Sequence, residues 1–279
     1  NGKPLQPQAS SKPESKEFFD YVGAFKDYAS LNLLGGPKFL ELRDVVNLQK
    51  GGTFFYIVFL MYYYQNFSLG AYLYLALHSS YGFVWVIKDY TFGDKNFAQR
   101  ITLASTLIAS ILGLYWLPAF WLLSRNPDSV QNPTPVRVFI AVITFVFGCF
   151  LMFCSDIQKY YTLKYRKGLI SEGMFKMNRN TNYLGEMLIY GSFGVASGSL
   201  WSWAVYLPVW LILFNINMNV KDISLRKKVG WEQYSKNSYL FLFKIFSSDV
   251  LNVIFYALTA VFFWYDYKFG GYIAYFLKK

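Results

Sequence analysis

Apolar residues fall in long runs along this chain, separated by polar and basic stretches. After a polar, mixed-charge segment to about residue 50, runs long enough to span a bilayer recur near 52–67, 69–88, 101–123, 136–155, 183–199, 201–218 and 249–265. The pattern predicts an all-α fold, a polytopic helix bundle of about seven transmembrane helices. The first and fifth runs are short and are expected to tilt or to be only partly immersed. The runs 183–199 and 201–218 meet at Leu200 and Trp201 almost without a loop. That predicts a tight helical hairpin, with Pro208 kinking its second arm. Residues 1–50 read as a polar N-terminal arm with one amphipathic helix around Glu17 to Leu34. Residues 51–150 read as N-terminal transmembrane helices and 151–279 as a C-terminal transmembrane region. Because the first residue is Asn1, a removed leader is expected. The arm's Pro, Gly and mixed charges cannot build a core of their own, so another protein chain is expected to hold it.

Charge sharpens this picture. Seven crossings put the arm and the loops 89–100, 156–182 and 219–248 on one side. That side carries all the Lys and Arg residues, 27 in the chain, except Arg125, Arg137, Lys268, Lys278 and Lys279. The asymmetry is independent of the apolar runs that place the spans, and it matches the excess of basic residues on the cytoplasmic or matrix side of membrane proteins. The net charge of +11 is therefore a topology signal, with basic loops meeting anionic lipid headgroups. No nucleic-acid-binding motif accompanies it. Charged residues make up only 15% of the chain, against about 25% in a typical soluble domain.

Candidate chemistry is sparse. Cys149 and Cys154 turn to different sides of one helix, and His78 is the only histidine. Neither a disulfide nor a metal site is expected from them. The 24 Tyr and 28 Phe are too abundant to mark an aromatic site by themselves. His78 reads as a satisfied helix-packing residue rather than a catalyst. The informative stretch is "RNTNYLGEMLIYGSFG", Arg179 to Gly194, where a polar patch runs into an apolar helix that carries Glu186. A carboxylate at that depth needs a partner. Glu186 lies one turn below Asn182, so Arg179, Asn182 and Glu186 are expected to converge, with Arg179 or a ligand's donors stabilising the carboxylate. The two long basic loops should bring Asp156, Lys159, Arg166, Arg179, Asn182, Tyr183, Arg226 and Tyr234 to the mouth of the hairpin. Gly185, Gly191, Gly194 and Gly198 leave the helix thin, as close helix packing requires.

"RNTNYLGE" resembles the Arg-His-Pro-Asn-Tyr-x-Gly-Glu element of the steroid 5-alpha-reductase C-terminal domain superfamily. That superfamily includes sterol reductases and, more distantly, isoprenylcysteine carboxyl methyltransferases. "CSDIQKYYTLKYRKGLISEGMF" upstream and "GWEQYSKNSYLFLFKIF" downstream extend the resemblance over about residues 150–246. It implies a pocket for NADPH at the cytosolic or matrix-like face. Asp156, Arg179, Asn182, Tyr183 and Glu186 would contact the cofactor, with Arg166 and Arg226 as basic contributors. Tyr183, Glu186 and Tyr234 are the catalytic candidates. Arginine's planar fork suits phosphate, and the cofactor would carry the hydride.

The departures are specific. Asn180-Thr181 stands where the family has His-Pro, and Leu225-Arg226-Lys227-Lys228 stands where the reductases carry histidines. A rigid turn and a proton relay are lost. Two readings follow. In the favoured one, the chain is a divergent, non-catalytic accessory subunit of a mitochondrial inner-membrane, respiratory-type complex. Membrane lipids and other subunits are its partners, lipid or nucleotide sits in the relic pocket, and the basic side faces the matrix. In the other, it is an active NADPH-dependent reductase of a lipid or sterol double bond, in the endoplasmic reticulum as the alternative membrane. An S-adenosylmethionine-dependent membrane methyltransferase is a lesser variant.

Overall fold

A computed structural model describes residues 18–111, 115–125 and 131–269. These residues are mostly helical. Their only strands are a two-stranded antiparallel ribbon of β1 (Lys38–Glu41) and β2 (Arg100–Thr102). Among the described residues two helices, Pro135–Tyr165 and Leu200–Arg226, are long and apolar enough to cross a membrane.

The helix expected near Glu17–Leu34 is α1 (Phe18–Leu31). It is followed by a turn in which Leu34, Gly35 and Gly36 all take left-handed backbone angles. This part of the arm packs on its own chain. Gly23 lies bare against Val220, where a Cβ would come within 2.9 Å of the valine side chain. The arm boundary at residue 50 also falls inside a helix, because α2 runs from Leu42 to Tyr63. It starts early because the Asp44 carboxylate accepts the Glu41 backbone N–H at 2.8 Å, satisfying a first-turn donor. Residues 1–17 lie outside the described residues, as do the last ten.

Helix α3 (Leu69–Phe92) opens on Ser68, whose hydroxyl accepts from the Ala71 N–H at 3.3 Å. The run 101–123 does not form one helix. It is β2, then α4 (Leu103–Ile111), then α5 (Leu117–Arg125). Pro118 has no backbone N–H and fits the first turn of a new helix rather than the middle of a long one. Helix α6 (Pro135–Tyr165) begins on a Thr134 cap with proline at the first position, and it extends well past the apolar run.

The hairpin forms as expected. Helix α7 (Thr181–Ser197) ends on Gly198 at φ 59°, and Ser199 caps α8 (Leu200–Pro208). After Pro208 the helix widens into a π-helical segment, Val209–Phe214, before α9 (Asn215–Arg226). Short α10 (Trp231–Asn237) and apolar α11 (Asp249–Phe269) complete the chain. The glycines of α7 serve packing. A Cβ on Gly185 would strike the α6 backbone at Gly148 and Met152, and one on Gly194 would meet the Trp203 ring at 2.8 Å.

The core lies where α3, α7 and α8 meet. Tyr74, Tyr81, Phe193 and Tyr206 are fully buried there. His78 sits among them, stacked on Phe193 with ring centroids 4.4 Å apart. It packs the core as expected, but it is not satisfied, since neither ring nitrogen has a hydrogen-bond partner among the described residues.

Candidate functional site

The motif stretch does two separate jobs. Its polar head is a clasp between two loops. Asn178 Nδ2 donates to the Phe241 carbonyl at 2.5 Å and Asn180 Nδ2 to the Leu240 carbonyl at 2.8 Å. The Thr181 hydroxyl donates to the Met174 carbonyl at 2.6 Å. Arg179 Nε donates to Asp222 Oδ1 at 2.7 Å and its Nη1 to the Ser238 carbonyl at 2.5 Å. Its guanidinium also lies over the Trp231 ring, 5.2 Å from the centroid. Tyr234 closes the same junction by donating to the Phe175 carbonyl at 2.9 Å. These bonds satisfy backbone groups that the irregular loops would leave unpaired.

The helical tail carries Glu186, whose partners are phenols. Tyr81 of α3 donates to Glu186 Oε1 at 2.9 Å, and Tyr190, one turn along α7, donates to the same oxygen at 3.0 Å. Tyr190 accepts in turn from Lys50 Nζ of α2 at 2.9 Å. The Lys50 ammonium lies 4.3 Å from the Tyr81 ring centroid, 4.8 Å from Trp85 and 4.4 Å from Tyr115. The expectation that Arg179 stabilises Glu186 is therefore corrected. Arg179 is held by Asp222, and the cation linked to Glu186 is Lys50, through one hydroxyl.

Both parts border one cavity of about 1110 Å³, larger than the roughly 300–1,000 Å³ of most small-molecule pockets. It brings together Asp156, Arg179, Asn182, Tyr183, Glu186 and Tyr234. Arg166 and Arg226 are not among its lining residues. Arg166 is exposed and paired with Glu172 at 2.6 Å. Arg226 stands half-exposed, with Nε 3.9 Å from Asp222 Oδ2, and borders a separate surface hollow beside Trp231. Lysines take the place expected of these arginines. Lys221 Nζ donates to the Arg179 carbonyl at 2.8 Å and Lys228 Nζ to the Gly168 carbonyl at 3.0 Å. Neither forms an ion pair among the described residues. Lys88 is paired with Asp156 at 2.5 Å and Lys159 with Asp94 at 2.7 Å. Burial alone would raise the Asp94 carboxyl pKa. The Lys159 charge and hydrogen bond, with the Asn96 backbone N–H, outweigh that and hold it below the usual value. Asn182 Oδ1 is buried at the cavity wall without a partner among the described residues.

The sequence reading missed Lys50, Lys88 and Lys221 as site residues. Each lies at or just beyond the end of an apolar run, where a basic residue reads as a solvent-loop charge. The available signal was that such a residue, placed on the face of the run that meets other helices, points into the bundle.

A family model covers residues 83–258, more than half of the chain, under the description Protein of unknown function (DUF1295). The chain belongs to this DUF1295 family. The family is related to steroid 5-alpha-reductase-like membrane proteins. No curated protein and no solved structure matches the chain. The DUF1295 region contains the clasp, Glu186 and Tyr190. Lys50 and Tyr81 precede it and come from the segment for which the sequence offered no family motif.

Proposed function

We propose that this DUF1295 protein is a non-catalytic membrane subunit that holds an anionic amphipathic ligand in its cavity. It would cross the membrane seven times within a larger mitochondrial inner-membrane assembly, with its basic side to the matrix. The observation that carries the reading is the engagement of Arg179. The motif arginine that would grip a cofactor phosphate has its fork committed to Asp222 and Ser238. Asn178 and Asn180 are likewise committed to loop carbonyls. The motif works as a structural clasp, while the cavity beside it keeps its volume.

The mouth still fits a phosphate-bearing group such as that of NADPH or a phospholipid. Lys221 and Lys228 each have donors beyond their single backbone bond, and Asn182 Oδ1 offers a free acceptor. If a nicotinamide cofactor binds, it supplies a hydride; the chain's own residues would hold its phosphates at these lysines and exclude water with the aromatic core.

One observation favours the second reading, an NADPH-dependent reductase of a lipid double bond. Lys50, Tyr190 and Tyr81 supply N–H and O–H donors to a hydrogen-bonded chain that ends on Glu186, with Lys50, Tyr190 and Glu186 at the cavity wall. Reduction of a conjugated bond needs such a donor, a contribution of roughly 100- to 10,000-fold in rate. The test is NADPH oxidation by the purified protein with lipid enones. We expect no turnover. Turnover that disappears in Glu186→Gln and Tyr190→Phe would overturn the scaffold reading and restore the enzyme.

A further inference from the structure

The Lys50 ammonium is an unusual group to find buried among aromatic rings at the inner wall of the cavity. The residue is 7% exposed. It makes one hydrogen bond, to Tyr190, and among the described residues it forms no ion pair. A lysine has three N–H donors, so two are unused. Four aromatic faces surround it, the last being Tyr190 at 5.1 Å. Such faces attract a cation, but they supply no charge to neutralise it. Glu186 is the nearest compensating carboxylate in the network. It reaches Lys50 only through the Tyr190 hydroxyl and already accepts from two phenols. An uncompensated charge in a low-dielectric site is costly unless it is paired and hydrogen-bonded.

The cavity continues away from Lys50 along apolar walls. Tyr190 stacks on Tyr206 at 5.7 Å and on Phe214 at 6.1 Å, which joins the ammonium seat to α8 and the π-helical segment. Val205, Pro208, Val209 and Leu213 continue the lining, with Leu117 and Trp121 of α5. At the π-helical segment the wall reaches the outer surface of the bundle. Ile212 lines the cavity and is also 61% exposed. The seat therefore has one small polar end and one long apolar arm that opens where acyl chains would lie.

We infer that Lys50, with Tyr190, binds the carboxylate of a long-chain lipid acid whose tail lies between α5, α8 and the π-helical segment. A carboxylate supplies the single negative charge and the acceptors that the two spare N–H groups need. A phosphate group would be a poorer fit here, because the aromatic faces leave room for few further donors; Lys221 and Lys228 at the mouth suit it better. The inference deepens the reading of the cavity as a holder of an anionic amphiphile, and it names the class of ligand at the inner end.

The test is binding of hexadecanoate and of hexadecanol to the delipidated full chain in a neutral detergent. The two probes share the tail and differ in the charged head. Wild type should prefer the acid by about tenfold or more, the worth of a charge-assisted hydrogen bond. Lys50→Met keeps the bulk and loses the charge. It should bind both probes equally while unfolding at a temperature close to wild type, and Lys167→Met, at an exposed lysine outside the cavity lining, should keep the preference. Equal affinity of wild type for acid and alcohol overturns the proposal, as does a preference that survives Lys50→Met. A Lys50→Met chain that fails to fold leaves the wild-type comparison and the Lys167→Met comparison to decide. Absence of hexadecanoate binding, together with protection of the chain from unfolding by NADPH, would reject the acid seat and leave the anionic-ligand reading standing.

Discussion

Arg179 touches Asp222, the Ser238 carbonyl and the Trp231 face at once. Both members of the ion pair are nearly buried, with side-chain exposures of 12% and 7%. Removing one partner of such a pair leaves the other charge stranded, a loss of about 3–5 kcal/mol, whereas replacing both with apolar groups is often neutral. Arg179→Met should therefore lower the unfolding temperature sharply, and Arg179→Met with Asp222→Leu should recover most of the loss. Single and double variants followed by thermal unfolding in detergent check this, and a single variant as stable as wild type would refute the clasp. The sequence made Glu186 and its need for a partner visible, because a lone carboxylate on an apolar helix demands one. Its actual partners were hidden. Tyr81 and Tyr190 are two among 24 tyrosines, and nothing in their spacing distinguishes a buried donor from a packing ring. Lys50 was hidden for another reason: it lies just before the first apolar run and reads as a loop charge.

At the scale of elements, the hairpin of α7 and α8 was legible because its two apolar runs meet with no room for a loop. The break between α4 and α5 was not, since α4, α5 and the residues between them form one apolar run by composition. Only Pro118 marks the place. The early start of α2 depends on Asp44 and on the pairing of β1 with β2, a contact between segments far apart in sequence. The clasp has a consequence for topology. The Arg179 backbone N–H donates to the Tyr239 carbonyl at 2.9 Å, and the Tyr239 N–H donates to the Met177 carbonyl at 3.2 Å. The loop before α7 and the loop after α10 are thus bonded to each other and must lie on one side of any membrane. Single cysteines at Lys167 and Lys236 should be labelled by an impermeant thiol reagent from the same side of sealed vesicles. Labelling from opposite sides would contradict both the seven crossings and the shared mouth.

For the molecule as a whole, fold and chemistry come apart. The helical scaffold, the cavity and the motif carboxylate are present, while the motif's Arg179 and Asn180, with Asn178 just before them, bind the protein's own loops. The basic residues gather at the mouth, where Lys221 and Lys228 face the cavity, and the apolar arm opens towards the bundle's outer surface. The central claim is that the cavity is occupied by an anionic amphiphile in a chain that works as a subunit. Native mass spectrometry of the protein, extracted gently from its native membranes, measures this directly. The expected result is the chain in complex with other subunits and carrying the added mass of a phosphate- or carboxylate-bearing amphiphile. A solitary chain at its bare mass, able to turn over NADPH with a lipid enone, would contradict it.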